Sequence, residues 1–459
     1  MFFQQAGKRI GPVLLIGAGM ATGVQAQAQP NGCNQPLASS SMTIALPSSP
    51  FAVKPSADGC WVFVSLSGAD GGGIAVLKRQ GGRLEMVRVV RISPAPAGIA
   101  LTHDGKLLVA AAINSAVVLD VARMTAGAED PILGTFSNQE GTCLQCIYIN
   151  VTPDDKLLFV SDEGADVIIV IDLERARANG FKAAAIIGSI PVGGGPIALT
   201  FSPDGKWLYS TSESGSPAWN WLRACKPSGA PLTPEQVTAR KVDMEARIAA
   251  LEALQSGASE KGVARLQQQI DSLKSIIGSL SGVPLANPEG AVVVIDVALA
   301  KTDPAKAAST RIPAGCGAVR MAISPDGRRI YVTARNSNAV ATFDTAKLVA
   351  DVDHSRLGMA PVGEAPVPVA VIDGGKKLVV GNSNRFGVGN GPETLSVLDT
   401  AKMEQPGADA TVGTIPSGAF PRELSVSADG HTLFLTNAGS SSLQVIDIDR
   451  LPVESVRKP

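Results

Sequence analysis

Histidine is scarce in this chain: His103, His354 and His431 are the only three. None neighbours a cysteine, which argues against a zinc or haem centre. Cys143-Leu144-Gln145-Cys146 is a C-x-x-C, but Ile147 follows where haem attachment needs histidine. Charge of one sign is also lacking. The formal net charge is −1, so there is no basic footprint for nucleic acid and no electrostatic hold on a membrane surface. No serine-hydrolase elbow, phosphate loop or HExxH zinc motif occurs. Gly71-Gly72-Gly73 and Gly193-Gly194-Gly195 are loop glycines, since no helix follows them. After the first residues no apolar run is long enough to span a membrane.

Apolar residues make up 45%, charged residues 18%, and 48 Gly and 31 Pro are spread without a low-complexity tract. That mixture suits many short strands joined by turns around a sizeable core. The N-terminus reads as a bacterial-type secretory signal. Lys8 and Arg9 form the positive start, Ile10 to Val24 the apolar stretch, and Val24-Gln25-Ala26 or Ala26-Gln27-Ala28 the cleavage pattern. A retained anchor is the alternative. Residues 1–26 are therefore expected to be removed and 27–459 to form the mature, periplasmic or secreted protein. In that setting six cysteines read as disulfides.

One sentence recurs along the chain. In Val319 to Phe343 it is a short strand, the turn Ser324-Pro325-Asp326-Gly327, a strand Arg329 to Thr333, a polar loop, and a strand from Ala339. Pro presets φ at the second turn position and Gly permits the return. Equivalent turn aspartates or their counterparts are Asp58, Asp104, Asp154, Asp204, Asp326, Asp373 and Asp429. Their spacings are 46, 50, 50, 122, 47 and 56 residues. Removing about 70 inserted residues restores the period. Four short strands repeated seven times predict an all-β, seven-bladed β-propeller. Met42 to Leu46 resembles the last strand of a repeat standing alone, so it is expected to complete the last blade and close the ring. Val453 to Val456 is the competing candidate for that strand.

The pattern S-P-D-G-x-x-[IL]-[YF]-V-[ST]-[NA], followed by x-V-x-V-[IL]-D, resembles the Tyr-Val-Thr-Asn repeat family of bacterial exported and surface propellers. Tyr331-Val332-Thr333-Ala334 and Phe434-Leu435-Thr436-Asn437 carry it almost literally. The resemblance covers roughly residues 42 to 450 apart from the insertion. It implies fold more than function, because the motif residues are turn and core residues. Seven-bladed lactonases are similar in repeat pattern.

The insertion lies between the second and third strands of copy four, at residues 216–288. Thr233-Pro234-Glu235-Gln236 is a helix start. Apolar residues fall at Val237, Met244, Ile248 and Leu251, and then Val263, Leu266, Ile270, Leu273, Ile277 and Leu280 trace a heptad seam. They predict an antiparallel helical hairpin that projects from the propeller, either as a docking arm or as a cover for a blade edge.

Propeller topology puts the insertion, the blade-to-blade loops and Cys143, Cys146, Cys225 and Cys316 on one face. Six cysteines allow fifteen connectivities. Loop placement favours Cys225–Cys316 and Cys143–Cys146, with Cys33–Cys60 tying down the N-terminal segment. The same face collects Asp162, Glu163, Glu213, Arg335, Asn336, Asn338, Asn382, Asn384 and Arg385, with Arg320, Arg422 and Glu423 at the channel mouth. Of these, Arg320, Arg335, Asn336, Asn384, Arg385, Arg422 and Glu423 are the candidate binding residues. No catalytic residue, metal ligand or cofactor is assigned. Solvated rim charges are the plainer explanation for all of them. The sequence points to a monomeric, non-enzymatic binding or scaffolding module of the cell envelope, its partner an envelope protein or a small ligand. The alternative is a lactonase-like hydrolase at the channel mouth. A third reading is a propeller serving a redox partner that carries the cofactor.

Overall fold

The computed structural model describes residues 33, 35–68, 72–136, 143–216, 219, 221, 224–225, 233–257, 260–279, 287–385, 393–405 and 408–454. The expected signal segment, Leu280 and Val456 lie outside them.

Each repeat turn is built from its own side chains. The Ser324 hydroxyl bonds the Asp326 carboxylate and receives the Arg329 N–H, while Asp326 receives the Arg328 N–H. Ser56, Thr102, Ser202 and Ser427 repeat the arrangement with Asp58, Asp104, Asp204 and Asp429. The turn is therefore closed by bonds among its own residues. Third strands end in Asp for a reason of the same kind. Asp120, Asp172 and Asp296 each accept an N–H from a short helix that begins immediately after the strand.

The strands assemble into seven antiparallel four-stranded sheets. Blade one holds Ser49–Pro55, Trp61–Ser67, Gly73–Gln80 and Arg83–Arg91. Blade two holds Ile99–Leu101, Leu107–Ala112, Ser115–Asp120 and Ile132–Phe136, and blade three Cys146–Val151, Leu157–Asp162, Val167–Asp172 and Ile186–Pro191. Blade four is interrupted: Gly194–Phe201 and Trp207–Ser214 precede the insertion, Gly290–Asp296 and Ala308–Gly315 follow it. Blade five holds Ala318–Ile323, Arg329–Ala334, Ala339–Asp344 and Arg356–Pro361, and blade six Pro366–Ile372, Lys377–Asn382, Thr394–Asp399 and Thr411–Pro416. Blade seven takes Pro421–Val426, Thr432–Asn437 and Ser442–Asp447, and is completed by Ser41–Ala45. The first strands of successive blades touch all the way round, the seventh against the first. The architecture is a seven-bladed propeller closed by its N-terminal strand. The C-terminal candidate serves elsewhere: Glu454 pairs with Thr414 on the outer strand of blade six.

The motif's hydroxyl position explains itself at the inner edge. Thr333 accepts the Arg320 N–H of its own blade and donates to the Val367 carbonyl of the next. Thr211 and Thr436 do the same, to Val319 and Phe51. Ser65 and Ser161 likewise donate to Ala97 and Ile197 of the following blade. On the opposite face, successive turns interlock. The second turn residue of one blade lies on the fourth of the next, as Pro153 on Gly205, Pro203 on Gly327 and Pro325 on Gly375. A Cβ on Gly327 would sit 2.7 Å from the Pro203 ring, so proline here demands glycine there. At the joint of blades two and three the pair is instead His103 and Asp155. Asp155 takes the glycine position at φ 55° and binds the His103 N–H and ring and the Asp104 N–H.

The insertion is a helical hairpin, Pro234–Gln255 and Glu260–Ser279. Ile248, Leu251, Leu266, Ile270 and Leu273 form its buried seam, and Val263 falls outside it. The hairpin does not simply stand away from the propeller as expected. Leu144, between the cysteines of blade three, packs into its core, because a two-helix seam leaves one edge without a third partner. All three disulfides join the expected partners: Cys33–Cys60, Cys143–Cys146 and Cys225–Cys316.

Candidate functional site at the central channel

Superposing the repeats on the first turn residue turns the channel into rings. Five residues before that position stand Phe51, Ala97, Ile147, Ile197, Val319, Val367 and Arg422. Ile197, Val319 and Val367 pack together, so Arg422 is a single cation in an otherwise apolar ring. Four residues before it stand Ala52, Gly98, Tyr148, Ala198, Arg320, Pro368 and Glu423. Four small residues leave room for three large polar ones. The inner strands bulge here, with register shifts between Pro50 and Val53, Pro196 and Leu199, Ala318 and Met321, and Pro421 and Glu423. Bulges re-aim side chains.

Glu423 is the hub of this girdle. It accepts the Tyr148 hydroxyl at 2.7 Å and faces Arg320 Nε at 3.1 Å. The Arg320 contact is an ion pair without hydrogen-bond alignment, so Arg320 Nε and Nη1 keep unmatched donors although the residue is only 5% exposed. Burial, reinforced by the Glu423 charge, pushes the Tyr148 phenol well above its ordinary range. It stays a neutral donor. Arg320 lies 4.6 Å over the Tyr148 ring and 5.6 Å from the Phe51 ring centre.

Arg422 stacks on Phe51 at 4.1 Å and lies 5.3 Å from Phe420. Its Nε is buried without an acceptor. Desolvation first, then repulsion by Arg320 and Arg385, lowers it to about 9, still charged at neutral pH. Above it, Glu163, Glu213 and Arg335 occupy one repeat position in three consecutive blades. Glu213 and Arg335 form a bidentate pair, both bonds 2.9 Å. Glu163 receives the Gln145 amide and feels Arg422, Arg335 and Arg385. Its carboxyl is nonetheless held above its usual range, by desolvation first and then by Glu213.

Of the residues singled out from sequence, Arg320, Arg422 and Glu423 converge around Phe51 and Tyr148, and Arg335 and Arg385 lie within electrical reach of Glu163. Asn336 flanks Arg335, and Asn384 turns the rim loop at φ 44°. Asp162, Asn338 and Asn382 bind the surrounding loops and strands. Tyr148 and Phe51 were missed by the sequence reading; stacking the seven copies on their turns would have found them. The histidines sit elsewhere, each paired to an aspartate: His103 to Asp155, His354 to Asp351 and His431 to Asp449.

The family described as lactonase, 7-bladed beta-propeller matches residues 145–218 and 290–452, more than half the chain, and leaves out the insertion. The chain belongs to the seven-bladed lactonase family. That match supports the propeller family rather than the Tyr-Val-Thr-Asn repeat type in particular. A chain of Kuenenia stuttgartiensis hydrazine synthase is similar in fold, with a TM-score of 0.58. The likeness covers 90% of this lactonase-family chain and 98% of that one at 17% identity, which is a likeness of fold alone. A comparison with curated protein sequences found no match.

Proposed function

We propose that this lactonase-family propeller is an exported envelope protein that binds a carboxylate-bearing ligand at the channel mouth on the insertion face. The observation that carries the reading is Arg422. It is a half-buried guanidinium on an aromatic face, with a buried, unmatched Nε, pressed by two other guanidiniums and balanced only in part by Glu163 and Glu423. An entering carboxylate relieves that repulsion and meets donors that are already oriented. The three disulfides fit an oxidising compartment. The test is calorimetric titration with sugar acids and their neutral amides. The acids should bind at least about tenfold tighter, the scale of one charge-assisted hydrogen bond, and Arg422→Met should erase the difference. Equal binding of acid and amide would overturn the reading.

A second reading, hydrolysis of a lactone at the same mouth, is favoured by the family match and by Glu163. A carboxyl with a raised pKa beside guanidiniums suits proton transfer to or from water, with arginine stabilising the oxyanion. Sugar lactones should then turn over, and Glu163→Gln should slow them about a hundredfold. Hydrolysis no faster than buffer would end that reading.

A further inference from the structure

Below the girdle, toward the Asp-Gly turns, the channel opens into a second chamber of about 160 Å³. Its wall includes Lys54, Asn150 and Thr200, which share one repeat position two residues before the turn, with Tyr148, Arg320 and Glu423 as its roof. The charges do not cancel. Lys54 has no ion-pair partner among the described residues. The one carboxylate, Glu423, is already committed to the Tyr148 hydroxyl and to Arg320. Arg320 brings buried, unmatched Nε and Nη1 donors. Asn150 holds its amide on the Leu199 carbonyl and its oxygen on the Val151 N–H, so it offers nothing that neutralises the cations. The chamber thus carries two cations against one anion, in walls that also include Leu199, Met321, Val369 and Leu424.

We infer that this lower chamber is a binding site for one small monoanion of halide or formate size, held between Arg320 and Lys54. It is distinct from the mouth, because Tyr148, Arg320 and Glu423 line it and Arg422 does not. A cation excess in a partly apolar chamber favours an anion that sheds its water cheaply, and about 160 Å³ takes such an anion together with its nearest waters while shutting out one larger than the chamber.

The experiment compares sodium bromide, sodium formate and a bulky sulfonate at equal ionic strength, reading the thermal unfolding midpoint of the full chain. A saturable rise with bromide and formate, absent with the sulfonate, is expected. Bromide crystals should show anomalous density within hydrogen-bonding reach of Arg320 and Lys54. Lys54→Met, on a partly exposed side chain, should weaken the apparent affinity at least about tenfold, a larger loss than Arg422→Met causes from outside the chamber. A rise that does not saturate, equal shifts in all three salts, or an unchanged response in Lys54→Met would overturn the inference. Because Arg422→Met reports on the mouth and Lys54→Met on the chamber, failure of one reading is distinguishable from failure of the other.

Discussion

Thr436→Val should open the propeller at its seam. The Thr436 hydroxyl is fully buried, receives the Glu423 N–H at 3.0 Å and donates to the Phe51 carbonyl at 3.0 Å. Glu423 belongs to blade seven and Phe51 to blade one, so this side chain joins the last blade to the first at the inner edge. Valine keeps the shape but removes the donor and the acceptor together. Two buried backbone groups are then orphaned, at about 1–3 kcal/mol each, or about 2–6 kcal/mol in all. Thr436→Ser keeps the hydroxyl and loses one methyl group, at about 1 kcal/mol. The assay is equilibrium urea unfolding, with midpoints compared across wild type, Ser and Val. The order should be wild type, then Ser, then Val by the wider gap. Both bonded groups also hold the site, so the valine variant should bind carboxylates more weakly. A valine protein as stable as the serine protein would refute the reasoning, because buried methyl contacts rather than the hydroxyl would then hold the seam.

Acid should loosen the turns. The Ser202 and Ser324 hydroxyls first, then the Lys206 and Arg328 N–H groups, hold the Asp204 and Asp326 carboxyls below their usual range. A folded-state pKa below the unfolded value of about 3.9 gives stability that is present above that pH and lost as pH falls through the folded value. The urea midpoint should therefore be flat above about pH 5 and fall below about pH 4, with Asp162 and Glu163, held high by burial, working in the opposite sense. A midpoint unchanged down to pH 3 would contradict this. Cys316→Ser frees a bridge that closes a 91-residue separation and should cost about 2–4 kcal/mol, read as a lower thermal midpoint under non-reducing conditions and no difference under reducing ones.

Much of the fold was legible because its signals are local. Turn, strand and cap are each specified by residues within a few positions of one another, so seven copies announce themselves even when one is split by an insertion. The helical start at Thr233-Pro234 was readable for the same reason. The site was legible only in part. Arg320, Arg422 and Glu423 stand out as charges on strands that are otherwise apolar. Tyr148 and Phe51 look like any core aromatic until the copies are brought into register. Lys54 looks like a solvated turn lysine until the channel places it opposite Arg320. Nor could sequence show that the hairpin rests on Leu144, since that contact joins segments about a hundred residues apart and depends on where blade three stands in the ring.

Repeated units carry a hazard that a varied fold does not: each blade resembles its neighbours closely enough to dock in the wrong place. The turn joints on the lower face work against that error. A proline ring fits where the next turn carries glycine, and the His103–Asp155 joint fits neither half of a proline-glycine joint. Asp155 in place of glycine would meet a proline ring with a carboxylate that then lacks its donors, and a proline in place of His103 would remove the N–H that Asp155 binds. Blade three is thereby matched to blade two rather than to a blade whose turn carries proline. A chain that lost this pair for a fourth proline-and-glycine match would keep its blades and become less certain of their order.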